Sequence, residues 1–124
     1  MKGILIVDHG SRKREANDML RLMADLIQTM AGADVVVRYA HMEIADPTIF
    51  AGFSGCVEGG ATDVTVFPYM LSPGRHSTAD IPRMVADVAR SFPNVGFNVT
   101  PAFGLHEKLA EVVLERAGIG ANAG

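Results

Sequence analysis

The chain has one cysteine, Cys56, and no tryptophan in 124 residues. A lone thiol forms no internal disulfide. With no Cys-x-x-Cys pair, a zinc ribbon or a protein-ligated iron–sulfur cluster is not expected either. A basic excess is also missing. Eleven Lys and Arg against fourteen Asp and Glu give a net charge of −3, whereas a duplex-binding module needs positive charge to displace counterions. Nucleic acid is therefore not an expected partner. Nor is there a long hydrophobic run. The N-terminal apolar stretch, Gly3 to Val7, is broken by Asp8 and His9. That is too short for a signal peptide or a membrane span, so the expectation is a soluble cytoplasmic protein with no membrane partner. No Gly-x-Gly-x-x-Gly or Walker loop follows that stretch, which removes the commonest nucleotide-binding routes.

What is present describes a folded domain. Hydrophobic residues make up 48% and charged residues 20%, a globular balance. A chain of this size buries roughly two-thirds of its unfolded surface, enough for one core. Residues 1–118 are expected to form one domain, with 119–124 a frayed tail.

Four strand-like runs alternate with four helix-like runs. Gly3 to Val7 is continuously apolar, as a strand buried on both faces should be. Ala16, Met19, Leu20, Met23, Leu26, Ile27 and Met30 then form one helical stripe, read as core, with Gly32 as its stop. Val35 to Ala40 is a second strand. A second helix is expected to open at Asp46-Pro47 and to be weakened by Gly52 and Gly55. Val64 to Phe67 is a third strand. A third helix carries Ile81, Met84, Val85, Val88, Ala89 and Phe92 on one face. The fourth strand, Val95 to Val99, alternates apolar and polar residues and suits a sheet edge. The last helix runs from about Leu105 to Ala117. Such alternation predicts a three-layer α/β sandwich around a four-stranded parallel sheet of order 2-1-3-4.

Ligands of open parallel sheets bind beyond the carboxyl ends of the strands. On this assignment all four histidines, His9, His41, His76 and His106, lie at that edge. Histidine accepts protons near neutral pH and binds divalent transition metals. His9, between a buried strand and Gly10-Ser11, and His76, within Pro73-Gly74-Arg75-His76-Ser77, stand out. His41 and His106 read equally well as a solvated residue or a helix cap. Ser11 is a candidate cap of the first helix. Arg12, Lys13 and Arg14 beside His9, and Arg75 beside His76, form either a solvated face or a grip for an anionic ligand near helix N-termini. Cys56 reads as a small buried apolar group. A receiver domain would need an aspartate where the third strand ends in Phe67-Pro68. A histidine phosphatase would need an arginine where Asp8 precedes His9-Gly10, and Asp8 would repel a phosphoryl group.

Four segments together resemble the small, single-domain sirohydrochlorin chelatases of the CbiX type, in the class II chelatase superfamily. They are Ile6-Val7-Asp8-His9-Gly10-Ser11-Arg12 with Asn17; Glu43 with Ala45-Asp46-Pro47-Thr48-Ile49; Pro68-Tyr69-Met70-Leu71 with Gly74-Arg75-His76 and Asp80-Ile81-Pro82; and Phe103-Gly104-Leu105-His106 with Leu109. The third is the most specific, and the likeness runs from residue 4 to about 117. It departs at Ala40-His41-Met42, where the family more often has an aromatic and a leucine. The resemblance implies a flavodoxin-like half-chelatase that forms a homodimer. It implies insertion of Co²⁺, or of Fe²⁺ or Ni²⁺ in related enzymes, into sirohydrochlorin. In that reading His9 and His76, with Glu43 as a third group, handle metal and protons. Ser11, Arg12, Arg14 and Arg75 hold the carboxylate-bearing macrocycle. No tightly bound cofactor is implied, because the metal is substrate.

Overall fold

The N-terminal apolar run becomes strand β1 (Lys2–Asp8), and its neighbours cover both of its edges. On one side lies β2 (Val35–His41), on the other β3 (Asp63–Pro68), with β4 (Gly96–Val99) beyond β3. Every pairing is parallel, and Ile4 stands opposite Val37 on one side and Thr65 on the other. The order is the expected 2-1-3-4. The structure is a computed structural model, and it describes residues 1–120. The expected frayed tail therefore lies, from residue 121 on, outside the described residues.

Successive β1 side chains point to opposite faces, and each face finds its own helices. Leu5 and Val7 pack with Ile49, Phe53 and Cys56 of helix α2 (Ile49–Glu58) and with Ile81 and Val85 of α3 (Ile81–Ala89). Ile6 packs with Leu20 and Ala24 of α1 (Arg14–Ala31) on the other face. Each fully buried aliphatic side chain here stabilises the fold by roughly 1.5–3 kcal/mol. Gly52, a poor helix former, is needed where it stands. A Cβ there would lie 2.6 Å from Leu5 Cδ1 and 3.0 Å from the Tyr39 carbonyl oxygen, so α2 rests closer to the sheet than any side chain would permit.

Three local expectations change. Helix α2 starts at Ile49, not at Asp46-Pro47, because the Thr48 hydroxyl accepts from the Ala51 N–H at 3.1 Å and caps it; the Asp46-Pro47 peptide is cis. Ser11 does not cap α1; Lys13 is the N-cap residue, and the Ser11 hydroxyl accepts from its N–H. The α1 stripe is only partly core, since Met19 and Met30 are 64% and 78% exposed. The last helix, α4 (Glu107–Arg116), buries no residue at all.

Candidate active site

The topology brings the carboxyl ends of all four strands to one edge, and all four histidines are there. They do not form one cluster. His9 and His76 meet edge to face, with ring centroids 4.5 Å apart and planes at 88°. Adjacency of β1 and β3 dictates this, since their following loops must adjoin. The pair opens onto a cavity of about 380 Å³ lined also by Tyr69, Met70 and Leu71. His76 begins a π-helical turn (His76–Asp80) that leads into α3, a widened turn often found at functional sites. That turn is tied back to Gly74: the Ser77 hydroxyl accepts from its N–H at 3.0 Å, and the Thr78 hydroxyl donates to its carbonyl at 2.7 Å. His76 Nδ1 lies 3.0 Å from Asp80 Oδ2. The contact is not aligned as a hydrogen bond, but it places a carboxylate beside one ring nitrogen, a usual way to orient a histidine that works through the other.

A second histidine is used differently. His41, 1% exposed, puts Nδ1 2.6 Å from Asp8 Oδ1. A carboxylate only accepts, so the Nδ1–H donates. The same Asp8 oxygen accepts the Gly10 N–H at 3.0 Å. Beyond the strands the two loops stay paired, with Met42 N–H to the Asp8 carbonyl at 2.8 Å and Glu43 N–H to the His9 carbonyl at 3.1 Å. Gly10 has φ +90°, and a Cβ there would stand 1.9 Å from the Glu43 carbonyl oxygen. Only glycine fits both the conformation and the space.

Glu43 is thus fixed by its backbone beside His9. Its exposed side chain lies in a neighbouring concavity with His41, Met42 and Asp46 rather than with the histidine pair. Among the described residues, no three His, Cys, Asp or Glu groups converge to hold a metal. Next to Glu43, Ile44 has φ +76°, with the Ala45 N–H bonded to the Glu43 carbonyl at 2.9 Å. A β-branched residue in that region is strained, at a cost of about 1–3 kcal/mol, and strain of this kind gathers at functional sites.

Ser11, Arg12 and Arg14 line a further cavity of about 490 Å³ with Asn17, Ile44 and Asp46. Arg12, Lys13, Arg14 and Arg75 are all exposed, and among the described residues none of them pairs with a carboxylate. His106 is a helix cap: its Nδ1 accepts from the Lys108 N–H at 3.1 Å. Tyr69 joins the histidine cavity to an aromatic cluster with Phe67 and Phe103. Burial, and secondly the charge of Asp8, push its phenol pKa up, so the hydroxyl keeps its proton at neutral pH. Four residues named in the sequence make contacts here that it does not assign to them. Asp8 and His41 carry no local signal of their pairing, Tyr69 was only part of a motif, and Asp80 was legible as the i+4 partner of His76.

The fold is shared with known proteins. The CbiX family model matches residues 3–118. The sirohydrochlorin ferrochelatase, chloroplastic, of Arabidopsis thaliana is 45% identical over 92% of this chain and 50% of its own length. The sirohydrochlorin cobaltochelatase of Priestia megaterium is 35% identical over 94% of this chain and 37% of its own. The crystal structure of the sirohydrochlorin chelatase SirB from Bacillus subtilis subspecies spizizenii in complex with cobalt superposes with a TM-score of 0.85, at 30% identity, over 94% of this chain and 50% of that one. The chain spans about half the length, or less, of these relatives. With a family model covering nearly all of its residues, the chain belongs to the CbiX family.

Proposed function

We propose that this chain is a metallochelatase that inserts a divalent metal, Co²⁺ first and Fe²⁺ second, into sirohydrochlorin. The observation that carries the reading is the His9–His76 pair, 4.5 Å apart at the carboxyl edge of the sheet, in a chain whose relatives bear chelatase names with both metals. Insertion exchanges one M²⁺ for two pyrrole protons. A metal must be held loosely enough to be released while a base takes protons from the ring nitrogens. One imidazole nitrogen cannot do both at once, and two facing rings divide the work. Glu43, fixed by its backbone beside His9 and exposed at its side chain, is the proposed third group. Ser11, Arg12, Arg14 and Arg75 are the proposed grip on the macrocycle's carboxylates, supported for the three arginines by the absence of a carboxylate partner among the described residues.

The proposal includes a homodimer. The Arabidopsis and Bacillus relatives are about twice as long, and one sheet edge supplies a single wall of a cleft for a planar macrocycle. Unburied apolar side chains on α1 and α4, among them Met19, Leu26, Met30 and Val113, offer a surface for a second copy. No helix among the described residues is long and apolar enough to cross a membrane. The cytoplasm remains the proposed location, although the plant relative is named chloroplastic. The test is spectroscopic: purified protein, sirohydrochlorin and Co²⁺, Fe²⁺ or Ni²⁺ in turn. Loss of the metal-free absorption bands faster than in protein-free controls supports the reading. No acceleration with any metal refutes it, and tight binding without turnover would identify a non-catalytic tetrapyrrole binder.

A further inference from the structure

We infer that the buried Asp8–His41 pair is a positioning device for His9, acting through the Gly10 turn; the inference rests on the chelatase reading. His41 touches neither His76 nor the cavity that the histidine pair lines, so it is placed to act through another residue. One oxygen, Asp8 Oδ1, accepts both the His41 Nδ1–H at 2.6 Å and the Gly10 N–H at 3.0 Å. A carboxylate at a strand end is free to rotate toward water. The imidazole, 1% exposed and packed at the end of β2, removes that freedom and aims the oxygen at Gly10. His9 lies between the two residues so joined. Its carbonyl is held from the other side by the Glu43 N–H at 3.1 Å, and the Glu43 carbonyl closes on Gly10. The His9 backbone is therefore fixed on both flanks.

A buried imidazole is a costly means of filling space. Its Nε2 finds no partner among the described residues, and an unpartnered buried polar atom is destabilising. A leucine at this position would fill similar volume without that cost. What the imidazole adds is a donor at Nδ1.

The experiment replaces His41 so that the donor is kept or moved. Asparagine carries its amide nitrogen near the position of Nδ1, and glutamine carries it near Nε2. Both bury one amide, so the comparison cancels most of the general cost of substitution. In His41→Asn, cobalt insertion stays within about threefold of wild type; in His41→Gln it falls ~10- to 10²-fold, the usual loss when a ligand-orienting partner is removed. KM for sirohydrochlorin stays the same in both, because neither residue grips the macrocycle. Adding His41→Gln to Asp8→Ala costs nothing further, since both act through one hydrogen bond. A readout independent of turnover is hydrogen exchange at the Gly10 amide. It should be about tenfold faster in His41→Gln than in wild type and unchanged in His41→Asn, as expected when one closing bond is lost. Equal insertion rates in the Asn and Gln variants, or additive losses in the double variant, overturn the inference. If wild type inserts no metal the chelatase reading fails, while the Gly10 exchange contrast still decides whether His41 holds the turn.

Discussion

Replacing Gly10 with alanine tests how the His9 and Glu43 loops are held together. Two costs add. At φ +90° an L side chain is strained, by about 1–2 kcal/mol. The new methyl would also stand 1.9 Å from the Glu43 carbonyl oxygen and 3.2 Å from His41 Cβ. Neither neighbour is a flexible side-chain end, so one loop must retreat by about 1 Å, a displacement that alone can cost ~10²-fold in rate at a reacting centre. The retreat breaks the Glu43 N–H bond to the His9 carbonyl, which contributes about 1 kcal/mol net. The expected loss is ~2–4 kcal/mol, and at this chain length a kcal/mol shifts Tm by roughly 3–6 °C. Gly32 supplies the control. Its φ is +86°, yet nothing lies within 4 Å of a Cβ there, so Gly32→Ala carries a backbone strain of its own without the collision. Thermal denaturation followed by circular dichroism should place Gly10→Ala about 10 °C below wild type and Gly32→Ala only a few degrees below it. Cobalt insertion, measured well under both transitions, should fall in Gly10→Ala alone. A Gly10→Ala variant no worse than Gly32→Ala in both assays would refute the claim that close contact fixes these loops.

Other expectations are simpler. His9→Ala and His76→Ala should each reduce insertion by ~10²-fold, the loss typical of a general base, while sirohydrochlorin binding by titration and the circular dichroism spectrum stay near wild type. Alanine at Arg12, Arg14 or Arg75 should raise KM and weaken its salt dependence with less effect on kcat, because a carboxylate grip acts equally before and during insertion; unchanged KM in all three would return them to a solvated surface. Burial, with a smaller opposing effect of Arg38, pushes the Cys56 thiol from 9.0 up to about 11. The unfolded thiol then loses its proton first, so Cys56 favours the fold below pH 9 and that contribution is lost as pH rises toward 11, with a slope of up to ~1.4 kcal/mol per pH unit. Denaturant titrations across that range should show the decline, and Cys56→Ala should remove it. Sedimentation should give a dimer, and an active monomer would refute the proposed assembly.

Much of the fold was legible because it rests on near-neighbour patterns. Continuous apolarity marked β1 as central, weak alternation marked β4 as an edge, and short right-handed connections left one economical strand order. That order placed the histidines at one edge, which is as far as periodicity reaches. Which histidines meet depends on contacts between loops far apart in the chain. His41 and Asp8 are 33 residues apart, and neither residue type announces the other. The requirement for glycine at position 10 comes from the Glu43 carbonyl facing it, a contact between loops that no local pattern carries. Glu43 itself was identified by likeness, and the backbone fixes its Cα without bringing its carboxylate to the histidine pair.

The helices mark a different limit. A 3.6-residue repeat identifies the side chains that share a face; it does not say that the same chain covers that face. In α1 the repeat marks Leu20 and Met19 alike, yet Leu20 is 2% exposed and Met19 64%. The sheet meets only part of the stripe. Helix α4 extends the pattern: Val112, Val113 and Leu114 are all exposed, and no residue of that helix is buried. Between α1, α4 and the sheet a cavity of about 300 Å³ is lined by Ile6, Met23, Phe67 and Val112. Apolar side chains that the described residues leave uncovered on neighbouring helices are what the proposed interface between two copies requires. The sedimentation experiment therefore bears on α1 and α4 as much as on the histidines. A second copy docked there would turn exposed methionines and valines into core and leave the carboxyl edge of each sheet free to face a macrocycle.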